Sequence, residues 1–202
     1  MADAHTFEFR PGRLGQAQGP AGVALTELTN FGLASVLARN GRAADVARLI
    51  RSAHGIELPT TPRAVEASDA SFLWNGPGHW LVLSAQAPDL ESRIHRHLGD
   101  TASVFDQSDS RILLELSGPR ARDVLAKGVS IDLDPAVFGR GDAAITTATH
   151  LSLVLWQVSD VPVYRLLTMR TYFGSFWHWF AASAAEYGCD VLPARSLASA
   201  PV

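Results

Sequence analysis

Seven histidines stand out in this 202-residue chain, because imidazole can bind a metal or act as a general base near neutral pH. Their spacing supports neither role. His95 and His97 are two residues apart on a predicted helix, so their side chains point to different faces and cannot chelate one ion. We therefore predict surface or capping roles for all seven, the others being His5, His54, His79, His150 and His178.

Nucleophilic catalysis is equally poorly supported. Ser84, Ser117 and Ser175 lack the Gly-x-Ser-x-Gly turn that exposes a catalytic serine. Cys189 follows a predicted helix end, with no histidine at short range to activate its thiol. The sequence predicts no catalytic residue and no metal site in this chain.

Two glycine runs and four aspartates are the remaining candidates for ligand binding. Residues 76–78 and 139–141 do not follow a strand and open a helix, as phosphate-binding loops do, so they predict turns. A carboxylate could hold a folate pterin, but Asp132 and Asp134 flank Leu133 in a loop and favour turn or cap roles. The other two aspartates are Asp106 and Asp109. No flavin fingerprint is present, and we predict no cofactor bound by this chain.

The predicted closing helix, 172–187, is unusually aromatic. One apolar stripe contains Phe173, Phe176, Trp177, Phe180 and Tyr187, and Tyr172 and Trp179 lie on another flank. One interpretation is a thick core helix. The other is that the second flank docks on a different protein, since aromatic residues are enriched at the centres of stable interfaces. We predict Tyr172 and Trp179 as partner-interface residues.

The elements that position these residues are organised around 106–141. Residues 111–116 alternate as a half-buried strand, and a helix is predicted from Pro119, suited to a first helical position, to Gly128, suited to an end. Residues 33–48 align with 111–126 without a gap. Arg42, Asp45 and Val46 then fall on Arg120, Asp123 and Val124, which indicates one supersecondary unit used twice.

The remaining pattern predicts an α+β fold of two fused ferredoxin-like units. The first half begins with a strand over 23–28 that continues over 33–38. A helix, a hairpin around 75–78, a second helix and a strand follow it, and this is the order of a split βαβ unit. The second half repeats that order with changes. We predict a flexible arm over 1–21, units over 22–107 and 108–190, and an unstructured tail over 191–202.

Composition restricts the class of protein. The chain has 47% hydrophobic and 18% charged residues and a net charge of -3, so it is globular, poor in charge and without the basic surface that nucleic acid requires. A single cysteine excludes an internal disulfide. No signal peptide or long apolar run is evident, and we predict a cytoplasmic protein with no membrane partner.

Three stretches carry a family resemblance that covers residues 21–190: SGPRARDVLAKG, IDLDPAVFGRG followed by Thr146, and MRTYFGSFWHWFAASAAEYG. They resemble the gamma subunit of heterotetrameric sarcosine oxidase, a family similar in fold to half of the folate-binding (GcvT-like) domain of aminomethyltransferases. Two positions depart from that pattern. Val129 stands where Cys is frequent, and Ile145 stands where Arg is frequent.

The resemblance implies an accessory subunit, with no chemistry of its own, of a complex that oxidatively demethylates sarcosine to glycine. Hydrogen peroxide is formed, and a one-carbon unit passes to tetrahydrofolate. The FAD, FMN, NAD and tetrahydrofolate sites are expected in other subunits, and the large alpha chain is the expected main partner. Two alternatives stay open: a free-standing folate-binding protein of the aminomethyltransferase or assembly-factor type, and the gamma subunit of a related N-methyl amino acid dehydrogenase.

Overall fold

Two sheets packed face to face form the centre of the protein in the computed structural model, which describes residues 10–16, 18–86 and 89–200. The strands are β1 Gly12–Leu14, β2 Val23–Thr29, β3 Gly32–Ala38, β4 Ala64–Glu66, β5 Ser71–Gly76, β6 His79–Ser84, β7 Ala102–Asp106, β8 Arg111–Ser117, β9 Ala143–Ala148, β10 Leu151–Ser159, β11 Val163–Met169, β12 Cys189–Val191 and β13 Arg195–Ser196. The helices are α1 Ala43–His54, α2 Leu90–Leu98, α3 Ala121–Ala126 and α4 Phe173–Ala185.

The larger sheet has the strand order β1-β12-β2-β8-β11-β10-β9, with β13 also pairing with β2. Strands β12 and β13 run parallel to β2, and the other neighbours are antiparallel. Helices α3 and α4 cover one face of this sheet. Their apolar residues and those of the strands form one core cluster, in which Val124, Phe176 and Phe180 are fully buried.

The smaller sheet is antiparallel throughout, with the order β4-β5-β6-β3-β7. Helices α1 and α2 cover its outer face, where Val46, Ile50 and Ile94 are buried against the sheet. As predicted, α1 ends where Gly55 adopts a left-handed conformation, with φ of 71°. The predicted hairpin around 75–78 is also present, as β5 and β6.

The inner faces of the two sheets meet in a third cluster that includes Leu33, Leu113 and Trp156. This packing overturns the expectation that β8 is half-buried. In a half-buried strand with alternate residues inward, Ile112, Leu114 and Leu116 would face the core and Leu113 and Glu115 would face solvent, yet Leu113 and Glu115 are also buried. Simple alternation assumes one solvated face, and here the second sheet excludes water from it.

The two aligned sequence segments do have matching local geometry. Each helix begins directly after an arginine, Arg42 before α1 and Arg120 before α3. Each arginine forms an i,i+3 ion pair, Arg42 with Asp45 at 2.5 Å and Arg120 with Asp123 at 3.0 Å. Helix α3 is shorter than predicted, since Pro119 and Gly128 lie outside it.

One strand lies in a different place from the predicted one. We expected 33–38 to continue the strand 23–28 within the first unit. The structure separates β2 from β3 at Asn30, whose left-handed φ of 54° turns the chain, and β2 pairs with β8 in the larger sheet. The pairing with β8 therefore decides the position of β2. Strand β2 lies in a different sheet from β3–β7, which fall within the same predicted unit, 22–107.

Both chain ends carry more structure than predicted. In the arm predicted over 1–21, residues 12–14 form β1 beside β12, while residues 1–9 lie outside the described part. The tail predicted as unstructured includes β13, and Leu197 is buried against the inter-sheet cluster. These segments are ordered because they complete the edge of one sheet and the core between both.

Within the described ranges, no helix is long and apolar enough to cross a bilayer.

Candidate partner interface

Helix α4 contains no Asp, Glu, Lys or Arg over its whole length. Phe173, Phe176, Phe180 and Ala184 recur at helical spacing and are buried against the larger sheet. The opposite side presents Gly174, Ser175, His178 and Ala182 to solvent. Exposed helix faces are usually charged, so an uncharged outer face distinguishes α4 from an ordinary surface helix.

The buried side of α4 is a row of stacked rings. The ring centroids of Phe173 and Phe176 are 6.0 Å apart, and those of Phe176 and Phe180 are 6.2 Å apart. Trp177 extends the row, with its centroid 6.1 Å from that of Phe180. This geometry accounts for four aromatic residues of the predicted helix as core, and the partly buried Tyr187 packs against the same cluster.

The two predicted interface residues occupy different environments. Tyr172 is 55% exposed. It ends a short 3-10 turn that Arg170 anchors, because the guanidinium donates to the carbonyl oxygens of Asp109 at 2.9 Å and Arg111 at 3.1 Å. The Tyr172 ring is thus presented from a fixed turn.

Trp179 is partly buried and packs against the core beneath α4. Its ring meets Phe176 edge-on, at a centroid distance of 5.5 Å, and its indole lies against Gly128. The Nε1 donor is buried and has no hydrogen-bond acceptor within the part of the chain that the structure describes. The structure therefore does not join Trp179 to Tyr172 in one exposed flank.

Lys127, beside Gly128, fastens the end of α4 to α3. Its Nζ donates to the carbonyl oxygen of Ser183 at 2.8 Å and to the Glu186 carboxylate at 2.6 Å. The same ammonium stands 4.4 Å from the centre of the Tyr187 ring, and the Arg120 guanidinium stands 4.6 Å from it. These contacts are cation–π interactions. The motif around 120–128 thus positions the closing helix.

A buried charge cluster between the sheets was missed by sequence analysis. Glu115 on β8 faces Arg165 on β11 in register, and Arg165 Nε lies 3.3 Å from the carboxylate. Arg195, from the predicted tail, also donates to Glu115. Charged residues centred in otherwise apolar strands were the available signal, because buried charges require partners.

The histidines form no metal site among the residues that the structure describes. His95, His97, His150 and His178 are exposed, as predicted, and His5 lies outside the described residues. His54 is instead largely buried beside Asp69, with Nδ1 and the carboxylate 3.0 Å apart. His79 lies 2.8 Å from the Ser35 hydroxyl, and burial lowers the pKa of its ring.

The aspartates considered for folate contact mostly organise the chain locally. Asp132 accepts from the amide of Asp134, and Asp134 accepts from the amide of Ala136, which are the predicted turn roles. Asp106 accepts from the amide and hydroxyl of Ser108, and these bonds lower the pKa of its carboxyl group. Asp109 contributes its carbonyl oxygen to Arg170.

The two positions that depart from the resemblance are structurally distinct. Val129 is buried and bridges to Ala148, so it continues the core beyond α3. Ile145 is 44% exposed on β9, which is an edge strand of the larger sheet.

Cys189 is fully buried in β12, and burial, assisted by Asp190, raises the pKa of its thiol to about 12.

The two sheets and helices α1–α4 form a mixed α+β protein that is rich in sheet. Its fold is similar to that of an aminomethyltransferase domain. Aminomethyltransferase T of the glycine cleavage system from Bartonella henselae has a similar structure, with a TM-score of 0.61 and 11% identity. The similarity covers 86% of this chain and 48% of that chain.

The family model described as "Sarcosine oxidase, gamma subunit family" matches residues 40–186, and the chain belongs to that family. Sarcosine oxidase subunit gamma from Arthrobacter sp. is 31% identical over 86% of this chain and 86% of its own length. The Corynebacterium sp. (strain U-96) subunit is 29% identical over 85% of this chain and 84% of its own length.

A chain of the heterotetrameric sarcosine oxidase from Corynebacterium sp. U-96, in complex with pyrrole 2-carboxylate, has a similar structure. The TM-score is 0.74 and the identity is 27%. The similarity covers 84% of this chain and 87% of that chain.

Proposed function

We propose that this chain is the accessory gamma subunit of a heterotetrameric sarcosine oxidase and acts by assembling with its other subunits, chiefly the large alpha chain. The observation that carries this proposal is the extent of the match. The Corynebacterium sp. (strain U-96) and Arthrobacter sp. gamma subunits are each covered over more than four fifths of their length, so the similarity is not confined to a shared domain.

The complex would oxidatively demethylate sarcosine to glycine, forming hydrogen peroxide and passing a one-carbon unit to tetrahydrofolate. In this proposal FAD, FMN, NAD and tetrahydrofolate are bound by other subunits, and the complex is cytoplasmic. This chain contributes binding surface and stability. The carboxylates of Asp132 and Asp134, which could have held a pterin, instead accept hydrogen bonds within local turns.

Within this function the body consists of two ferredoxin-like units. The order β5-β6-β3-β7, with α1 and α2 on one face, supports the first unit. In the second, β8, β10 and β11 follow the same pattern with α3 and α4, and β2 occupies the place beside β8. The first unit would then begin at Gly32, and β2 would belong to the second.

Tyr172 and the uncharged outer face of α4 are the surface that we assign to the partner. A tyrosine more than half exposed on an anchored turn can bury a large area with little loss of conformational entropy. Trp179 would act indirectly, because its indole packs α4 against Gly128, just beyond α3.

The isolated chain tests this proposal against a free-standing folate enzyme. We expect the purified protein to be colourless, to leave sarcosine unoxidised and to bind tetrahydrofolate no more tightly than millimolar. Micromolar folate binding by the chain alone would favour the alternative. Similarity to an aminomethyltransferase at 11% identity concerns the fold alone. The activity of the assembled complex on sarcosine, compared with its activity on other N-methyl amino acids, decides between a sarcosine oxidase and a related N-methyl amino acid dehydrogenase.

A further inference from the structure

An apolar cavity of about 280 Å³ lies between the first turns of α1 and the β5–β6 hairpin. Trp74 and Trp80 are cross-strand neighbours on the hairpin and form one wall. Ala43, Ala44 and Ala47 of α1 form the facing wall. Three alanines leave this space because a larger residue at any of those positions would extend into it.

The walls of the cavity are fixed and almost entirely apolar. Trp80 is buried, and its Nε1 donates to the carbonyl oxygen of Pro59 at 2.8 Å, so this indole cannot turn into the space. None of the residues that line the cavity is ionisable. Its volume is just below the range of about 300–1,000 Å³ typical of sites for whole ligands. A single apolar side chain fits these properties better than a cofactor or a charged metabolite.

The rim beside the cavity is positively charged. Arg42 and Arg48 share one carboxylate, that of Asp45, at 2.5 and 3.1 Å. Arg39 lies in the exposed turn that the bond from Ala38 N to Gly78 O holds against the hairpin. No ion pair of Arg39 is found among the described residues. Three guanidinium groups and one carboxylate favour an acidic partner sequence.

We propose that this cavity receives an apolar anchor side chain, of leucine or aromatic size, from an acidic segment of another subunit of the sarcosine oxidase complex. The inference rests on the proposed function and adds a second contact, on the smaller sheet, to that of α4. Anchor residues that fill preformed pockets dominate interface energetics, and the surrounding charges set specificity.

Filling the cavity tests the anchor directly. Ala44 is exposed and lines the cavity, whereas Ala53 is exposed on the same helix and does not line it. We expect Ala44→Leu to weaken association of the full chain with the co-expressed subunits by about tenfold or more. Ala53→Leu is the matched control and should associate like the wild type. Thermal melts of both variants establish that each is folded.

Charge reversal tests the rim. The double variant Arg39→Glu, Arg42→Glu should slow association and reduce its dependence on salt. Arg96→Glu, on the exposed surface of α2, is the control and should leave both unchanged.

Normal association of Ala44→Leu would overturn the inference, as would equal losses for Ala44→Leu and Ala53→Leu. A difference in the solution mass of the isolated wild type and Ala44→Leu would assign the cavity to a second copy of this chain, which also overturns it. These outcomes are distinct from failure of the proposed function, in which the wild type itself does not associate.

Discussion

The indole of Trp179 occupies the space that a side chain on residue 128 would need. A Cβ atom built on Gly128 would stand 2.4 Å from Trp179 Nε1. The neighbouring Lys127 binds the Ser183 carbonyl oxygen from the same loop. The Lys-Gly pair therefore has a physical explanation, in which the glycine makes room for the tryptophan of α4 and the lysine holds that helix in place.

Gly128→Ala should lower the free energy of unfolding by about 1–3 kcal/mol, because the added methyl group forces the indole or the loop to move. Gly174→Ala is the control on α4 itself. A Cβ there meets no atom within 4 Å, so the change should be neutral or stabilising by up to about 1 kcal/mol. Urea unfolding followed by tryptophan fluorescence measures both. Equal stability of Gly128→Ala and the wild type would refute the close packing.

Tyr172→Ala should leave the thermal melt of the isolated chain within a few degrees of the wild type, because the ring is largely exposed. The same change should weaken association with the large subunit by about 2 kcal/mol or more. Phe176→Ala provides the contrast, since truncating this fully buried ring should cost about 3–5 kcal/mol of folding stability. Undiminished association of Tyr172→Ala would remove this residue from the interface.

Glu115→Gln should destabilise the fold by about 3–5 kcal/mol, because Arg165 and Arg195 would lose the carboxylate that they share. Glu57→Gln is a matched control. Glu57 pairs with Arg51 at the surface, and loss of an exposed ion pair costs at most about 1 kcal/mol. Chemical denaturation of both variants gives the comparison. Similar values for the two would mean that burial does not strengthen the Glu115 cluster.

Cys189 should resist thiol reagents at pH 8 in the native chain and react fully in denaturant, because its thiol is buried with a pKa of about 12. The folded-state pKa is raised above the unfolded value of about 9. Between these two pKa values the unfolded thiol is ionised and the folded thiol keeps its proton, so unfolding releases a proton. The contribution of this thiol to the free energy of unfolding is therefore fully present below about pH 9 and is lost as the pH rises toward 12. Rapid native labelling would show that β12 opens readily.

Local features of the fold were predictable from sequence. The hairpin β5–β6 follows from Asn75-Gly76-Pro77-Gly78 between alternating strands, and the end of α1 follows from Gly55. The pairing of β2 with β8 was not predictable from local pattern, because it joins residues far apart in the chain and depends on the turn at Asn30.

The surroundings of the two proposed interface residues were predictable only in part. The excess of aromatic residues on α4 was visible in the sequence, but helical spacing alone does not tell which side of the helix α3 covers. Tyr172 lies in solvent and Trp179 lies on Gly128, a distinction that only the packing of two distant segments determines. The Glu115 cluster was hidden for a similar reason, since its third member comes from the chain end.

Native mass spectrometry of the tagged chain, co-expressed with the candidate alpha, beta and remaining subunits, shows whether this chain is an assembled subunit. We predict a single heterotetramer that contains one copy of this chain, carries flavin and oxidises sarcosine, whereas the same chain expressed alone is colourless and prone to aggregate. Recovery of this chain alone from the co-expression, folded and without the other subunits, would contradict its role as a gamma subunit.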